Sequence, residues 1–170
     1  MLSLLPSIFV LGLAALAALV LTLNRRSLPE NMAERLAAAH ALTIALLVQI
    51  VHFAEEAATG FHERLGPLLG LPGMSFSGFV VFNLIWIGIW IASVPGLRSA
   101  RIPAFFAAWF LAIAGMFNGI AHPLLAITAD GYFPGLVSSP FIGVASVWLW
   151  LRLRGATRPK DVTQESLRSG

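Results

Sequence analysis

Five long apolar stretches dominate this sequence, and they restrict the possible folds more than any other feature. A helix needs about 20 mostly apolar residues to cross the hydrocarbon core of a bilayer. The chain is 58% hydrophobic and only 11% charged, more apolar than a soluble domain of 170 residues requires. We therefore predict an all-α integral membrane protein, a bundle of five transmembrane helices that forms one domain over residues 1–153. The five stretches cover roughly residues 3–23, 33–53, 77–94, 102–128 and 136–153.

Basic residues lie in the segments that join these stretches, and their distribution predicts the orientation. Lys and Arg close to helix ends favour the cytoplasmic side. The connections after the first and third stretches and the C-terminal tail contain several arginines, whereas the second connection has only Arg64 and the fourth has none. We therefore expect a multi-span protein of the cell membrane with its N-terminus outside and its C-terminus in the cytoplasm. The polar composition of residues 154–170 predicts a disordered cytoplasmic tail.

Composition also excludes several classes of function. The chain has no cysteine, so disulfide bonds and thiolate metal sites are impossible. Its pI of about 10.6 would suit a nucleic-acid-binding protein. However, the basic residues form short clusters at the ends of apolar stretches and do not follow one amphipathic face. The expected partner is therefore the lipid bilayer and not a nucleic acid.

Three ionisable residues lie together where the second stretch ends, in the segment VHFAEEAATGF. The spacing of His52, Glu55 and Glu56 is i, i+3 and i+4, which puts all three on one helix face within a single turn. We expect the helix to continue past them as far as Gly60. In the fourth stretch, Asn118 and His122 share a face in the same way. Because both stretches run outward, the two groups are predicted to lie at one depth near the outer face.

Two further segments are expected at this depth. Asn83 lies about two turns below the outer end of the third stretch. The outer connection TADGYFPGL, residues 128–136, contains the turn-forming residues Gly131, Pro134 and Gly135. Tyr132 can therefore fold over the site as a lid with its hydroxyl directed inward. The sequence thus predicts a polar cavity that opens to the outer side.

These motifs resemble the signature of the HXXEE-domain family of small prokaryotic multi-span membrane proteins. The family has an H-x-x-E-E motif, a later histidine and a Y-x-P-G motif. In this chain they correspond to HFAEE with His52, Glu55 and Glu56, to His122, and to YFPG at residues 132–135. The resemblance covers about residues 33–140. It implies a membrane protein but no activity, because the family is of unknown function.

The residue types in this cluster favour a metal-dependent reaction. Imidazole nitrogen and carboxylate oxygen together suit Zn²⁺ or Fe²⁺. We predict that His52, His122 and one of Glu55 and Glu56 bind the metal, while the other glutamate acts as general base. Asn83 or Asn118 would steady a ligand or an oxyanion, and Tyr132 completes the predicted catalytic set of His52, Glu55 and Glu56. The expected reaction is hydrolysis of a lipid-like substrate.

Other functions remain open from sequence alone. Two adjacent carboxylates beside a histidine also suit a metal-free enzyme that transfers protons, such as a membrane isomerase. The same groups suit a proton-coupled carrier or a binder of a small ligand, since ionisable residues inside membrane spans usually have a function. Finally, the glutamates can be solvated at a helix end in a non-catalytic membrane scaffold.

Overall fold

The structure is a computed structural model that describes the backbone of residues 5–159 and the side chains from residue 10 onward. Within this range the chain is mainly helical, which confirms the predicted all-α class. Two-residue strands, β1 (Arg25–Arg26) and β2 (Arg158–Pro159), pair antiparallel. A 3-10 turn at Pro29–Asn31 precedes the second helix. The six α-helices are α1 (Leu5–Asn24), α2 (Met32–Thr59), α3 (Phe61–Leu68), α4 (Phe76–Arg98), α5 (Ile102–Thr128) and α6 (Ser139–Ala156).

Three of these helical segments are long and apolar enough to cross a membrane: Pro29–Thr59, α4 and α5. The part of α1 from Val10 onward is apolar but shorter. Helix α6 has 18 residues, and its last turns carry Arg152 and Arg154. Large apolar side chains on the outer surfaces of all five long helices are exposed. A surface of this kind is suited to contact with lipid rather than water.

The five long helices alternate in direction, as hydrogen bonds at one end of the bundle show. Arg25, which follows α1, donates to the backbone carbonyls of Arg154 and Thr157 at the end of α6. Arg35, in the first turn of α2, donates to the carbonyl of Arg98 at the end of α4. The start of α5 follows α4 after a short turn. This end of the bundle, which we call the arginine end, therefore contains the final turns of α1, α4 and α6.

Helix α5 lies at the centre of the bundle and packs against α1, α2, α4 and α6. Small residues permit this close packing. A Cβ atom on Gly119 would lie 2.8 Å from the Cα of Gly143 in α6, so the two backbones are in direct contact. On the other side of α5, Ala14 and Ala18 of α1 are fully buried. The position of α5 fixes the side chains near its C-terminal end relative to α2.

Two boundaries bear on the site and on the tail. Helix α2 continues to Thr59 and ends at Gly60, whose φ of 81° gives a left-handed cap. This stop was expected, but the short helix α3 that follows was not. Residues 154–159 also differ from the predicted disordered tail, because α6 continues to Ala156 and β2 pairs with β1. Residues 160–170 of the predicted tail lie outside the described part of the chain.

Candidate metal centre

A histidine–carboxylate cluster lies at the end of the bundle opposite the arginine end. Glu56 on α2 has its Oε1 atom 3.6 Å from His52 Nε2 and 3.3 Å from His122 Nε2 on α5. The two imidazole rings meet edge to face, with centroids 4.7 Å apart. All three side chains are buried, and one potential ligand atom from each lies within 4.8 Å of the others. The structure therefore brings together three of the predicted site residues, from two helices distant in sequence.

The hydrogen bonds of His52 determine which of its ring nitrogens carries the proton. His52 Nδ1 lies 2.8 Å from the hydroxyl oxygen of Ser138, and this hydroxyl donates its single proton to Glu55. Ser138 must therefore accept a hydrogen bond from His52 Nδ1. The Nε2 atom of a neutral His52 then carries a lone pair. This atom is buried and has no hydrogen-bond partner among the described residues.

His122 has the same arrangement. Its Nδ1 atom lies 2.6 Å from the backbone carbonyl oxygen of Pro134. A carbonyl can only accept, so Nδ1 donates and Nε2 of the neutral ring carries a lone pair. When both rings are neutral, two imidazole lone pairs and one carboxylate oxygen converge in a buried space, and none of the three atoms supplies a hydrogen. Such a set is costly to bury unless a cation or extra protons lie between the atoms.

The distances in the cluster fit a shared metal ion better than direct hydrogen bonds. The separations of 3.3 and 3.6 Å exceed the usual N–H···O length of about 2.7–3.2 Å. Two ligands that bind an ion at about 2.0–2.2 Å with tetrahedral geometry are about 3.3–3.6 Å apart. Each ring is also held by a hydrogen bond through its other nitrogen, as is usual for metal-binding histidines. His52, Glu56 and His122 therefore form a group that could hold a metal ion.

Glu55 has a different environment from its neighbour Glu56. Its Oε1 atom accepts hydrogen bonds from the Tyr132 hydroxyl at 2.7 Å and the Val137 backbone N–H at 3.0 Å. Its Oε2 atom accepts from the backbone N–H of Ser138 at 2.8 Å and from the Ser138 hydroxyl. All four donors belong to the connection between α5 and α6. Glu55 thus anchors this connection, which differs from the metal-ligand and general-base roles expected from the sequence.

Tyr132, expected to act as a lid, is exposed on the connection between α5 and α6, and its hydroxyl donates a hydrogen bond to Glu55. The hydroxyl contacts Glu55 and not the histidine–carboxylate cluster, so Tyr132 reaches the site only through Glu55. Burial raises the pKa of Tyr132, and the hydrogen bond to Glu55 raises it further. The backbone carbonyl of Tyr132 accepts a hydrogen bond from Arg64 of α3 at 3.3 Å. Both α2 and α3 therefore hold this residue in position.

The cluster is closed and does not line the open cavity that the sequence predicted. The rings of Phe61 and Phe133 pack against His122, with centroids 5.5 and 6.2 Å away. Gly135 closes the remaining side with a left-handed φ of 87°. A Cβ atom at this position would lie 2.5 Å from His122 Cε1 and 3.0 Å from His52 Cε1. Only glycine therefore fits at this position, where the connection between α5 and α6 approaches the two rings.

The two asparagines predicted to bind a cofactor do not join the cluster. Asn83 donates to the backbone carbonyl of Phe79 in its own helix, at 2.9 Å. Asn118 is partly buried one turn before His122 on α5. Between residues 10 and 159, no hydrogen bond links either asparagine to His52, Glu56 or His122. The structure therefore does not support a ligand-steadying role for them.

Sequence reasoning missed Ser138, which links His52 to Glu55. A serine shortly before Pro140 is typical of a helix start, and Ser138 is the residue that precedes α6. Its hydroxyl makes no cap hydrogen bond to that helix, however. It is occupied by His52 and Glu55 instead. Only the folded arrangement of α2 and α6 reveals these contacts, since nothing in the local sequence distinguishes Ser138 from an ordinary helix cap.

Comparisons with protein-family models, with curated proteins and with solved structures gave no match. The resemblance to the HXXEE-domain family therefore rests on the motif residues alone. These residues are the ones that form the cluster and its cover: His52, Glu56 and His122 meet, while Glu55 binds Tyr132 of the YFPG segment. Any inference about function must consequently come from the chemistry of these side chains.

Proposed function

We propose that this protein is a five-span metalloprotein of the cell membrane that hydrolyses an ester or amide bond in a lipid-like substrate. In this proposal His52, Glu56 and His122 bind one divalent transition metal, Zn²⁺ or Fe²⁺, near the outer face. The observation that carries it is the convergence of the Nε2 atoms of His52 and His122 on Glu56 Oε1 among buried side chains. A divalent cation satisfies all three acceptors at once.

The ligand set indicates the type of chemistry. Two histidines and one glutamate form the set used by several hydrolytic zinc enzymes, which retain an open position for water or substrate. A metal held in this way activates water and polarises a carbonyl group. The protein's own contribution is orientation and exclusion of solvent: Ser138 and the Pro134 carbonyl fix the two rings. Phe61 and Phe133 keep bulk water from His122.

An apolar groove supports a lipid-like substrate. It has a volume of about 280 Å³ and is formed by Leu47, Val48 and Val51 of α2 with Phe141 of α6 and Ser138. Leu47, Val51 and Phe141 are exposed on the surface that would face lipid. Ser138 is the one polar residue of this lining, and its hydroxyl contacts His52. An acyl chain in the groove would therefore bring an attached ester close to Ser138, which separates the groove from His52.

A second candidate function is metal-free proton transfer, in an isomerase-like enzyme or a proton-coupled carrier. One observation favours it: Glu56 Oε1 lies between two imidazole nitrogens, at 3.6 and 3.3 Å. Protons shared among these three groups would also satisfy the converging acceptors. Metal-free proton transfer requires additional protons bound to the cluster, whereas the leading proposal requires a bound metal ion. Metal content therefore distinguishes the two functions.

The test is elemental analysis of the full-length protein, purified in detergent without chelators or a polyhistidine tag. We expect about one Zn or Fe ion per chain in the wild type and almost none in His122→Ala. His40→Ala is the matched control, because it also removes one imidazole but from an exposed position of α2 outside the cluster. Absence of stoichiometric metal in the wild type would reject the metal site and leave proton transfer as the better proposal.

Hydrolysis is tested separately on the metal-loaded protein in mixed micelles. A panel of fluorogenic phospholipid esters and fatty acyl amides supplies the substrates. We expect turnover by the wild type and by His40→Ala, and none by His122→Ala. If the wild type binds metal but cleaves no member of the panel, the metal site stands and the hydrolytic part of the proposal fails.

A further inference from the structure

A second pocket lies at the arginine end, remote from the histidine–carboxylate cluster. It has a volume of about 270 Å³ and lies between the end of α1, β1 and the start of α5. One wall is apolar and includes Ile102 and Phe105, and Ile102 is exposed at the outer surface of the bundle. The basic part of the lining includes Arg25 and Arg26, together with Ser27. The pocket is therefore amphipathic and opens where the bundle would meet the membrane boundary.

Uncompensated positive charge surrounds this pocket. Arg26 is paired directly with Arg158 in the β1–β2 ladder, and like charges in opposite positions of a ladder destabilise it. Arg25 donates to the backbone carbonyl of Arg154, and the pKa of Arg25 is lowered by burial and by the charge of Arg154. The ion pairs found between residues 10 and 159 all involve histidine, so no carboxylate within this range forms an ion pair with these arginines. A bound anion would relieve this repulsion.

Two further features of the pocket favour an anion. Trp109 of α5 contributes to the inner wall, and its indole Nε1 is a buried donor without a hydrogen-bond partner in the described chain. The pocket also adjoins the N-terminal end of α5 at Ile102. The dipole at a helix N-terminus attracts negative charge. The Trp109 indole therefore lacks an acceptor, whereas Arg25 already donates to Arg154 and Thr157.

We propose that this pocket binds an anionic phospholipid, with the phosphate beside Arg26 and the acyl chain along Ile102 and Phe105. A free phosphate would use the basic wall but leave the apolar wall exposed. A lipid phosphate satisfies both walls, since basic pockets between membrane helices commonly hold anionic headgroups. The site would hold one leaflet lipid at the arginine end. It is independent of the metal centre at the other end.

The test measures ligand-induced thermal stabilisation of the full-length protein in a neutral detergent. The probes are dioctanoyl phosphatidylglycerol, dioctanoyl phosphatidylcholine and inorganic phosphate. We expect the anionic lipid to raise the unfolding temperature at the lowest concentration. In Arg26→Gln, and separately in Arg158→Gln, the apparent affinity for this lipid should fall about fivefold, because each arginine near an anionic lipid contributes about that factor. Both side chains are exposed, so neither change disturbs the core.

Arg98→Gln is the matched control, because it removes the same charge from an exposed position at the same end that neither lines the pocket nor pairs with Arg26 in the ladder, as Arg158 does. Its affinity for the anionic lipid should equal that of the wild type. An equal loss in all three variants would mean general electrostatic attraction and would overturn the site. Equal affinity for the zwitterionic lipid would overturn anion recognition. If inorganic phosphate bound as tightly as the lipid, the ligand of the pocket would be a soluble anion and the lipid proposal would be overturned.

Discussion

At the scale of single residues, the adjacent glutamates Glu55 and Glu56 make different contacts although they lie in the same helix turn. Successive residues of an α-helix point about 100° apart, so Glu55 and Glu56 contact different elements. Glu56 faces His122 on α5, while Glu55 faces the connection before α6. Sequence alone cannot assign these roles, because both residues are glutamates in the same motif. The contacts predict that conservative changes at the two positions have opposite effects.

Glu56→Gln should abolish metal binding with little loss of stability, because it keeps the side-chain volume but removes the anionic ligand. We expect metal affinity to fall by at least about 100-fold. Glu55→Gln should keep the metal but lower the free energy of unfolding by about 2–3 kcal/mol, since hydrogen bonds to a charged acceptor are lost. Elemental analysis and thermal unfolding of both variants check this. The same metal content in the two variants would contradict the division of roles.

Gly135 is a second position where one atom decides whether the site forms. Gly135→Ala should reduce metal binding strongly, because the new Cβ would overlap with His122 Cε1 at 2.5 Å and Nδ1 at 2.7 Å. Gly70→Ala is the matched control: its φ is 70°, and nothing lies within 4 Å of an added Cβ. The control should cost only the backbone strain of about 1–2 kcal/mol. Metal content measured for both variants separates the steric effect from the backbone strain. Unchanged metal content in Gly135→Ala would contradict the predicted steric overlap.

At the scale of elements, the positions of the five long helices and the convergence of α2 with α5 were predictable, but α3 and the cover of the site were not. Apolar length and i, i+4 spacing located His52, Glu56 and His122 because helices have a fixed geometry. The connection between α5 and α6 has no such periodicity. Its conformation depends on four hydrogen bonds to Glu55. For the same reason the sequence did not reveal the role of Ser138 or the closure of the predicted cavity.

Tyr132→Phe tests how this connection is held. The change removes the hydroxyl that donates to Glu55, so we expect a loss of about 1 kcal/mol in the free energy of unfolding. The pKa of Tyr132 is raised in the folded protein. The contribution of its hydrogen bond is therefore complete below the ordinary tyrosine pKa of about 10 and is lost as the pH rises through the folded pKa.

The measurement is thermal unfolding of both proteins from pH 8 to above pH 11. The stability difference between wild type and Tyr132→Phe should be constant at the lower pH values and should shrink in strongly alkaline solution. Subtracting one curve of stability against pH from the other cancels the contribution of groups that titrate in both proteins. A difference that grows with pH would mean that the phenol does not donate to Glu55.

At the scale of the whole molecule, charge and chemistry are separated between the two ends. Arginines 25, 26, 35, 98, 101, 152, 154 and 158 lie at the arginine end, whereas Arg64 is the single arginine near the metal centre in the described part of the chain. Basic residues near helix ends favour the cytoplasmic side. From this separation we predict that the histidine–carboxylate cluster lies towards the outer side of the membrane.

Single cysteines can test this orientation, because the wild-type chain has none. Ala129→Cys lies just after α5 beside the metal centre, and Ser99→Cys lies just after α4 at the arginine end; both positions are exposed. In intact cells, a membrane-impermeant maleimide should label Ala129→Cys and leave Ser99→Cys unlabelled until the membrane is permeabilised. The reverse pattern would put the metal centre in the cytoplasm. Labelling of both positions in intact cells would show that α5 does not cross the membrane, because these positions lie at its two ends.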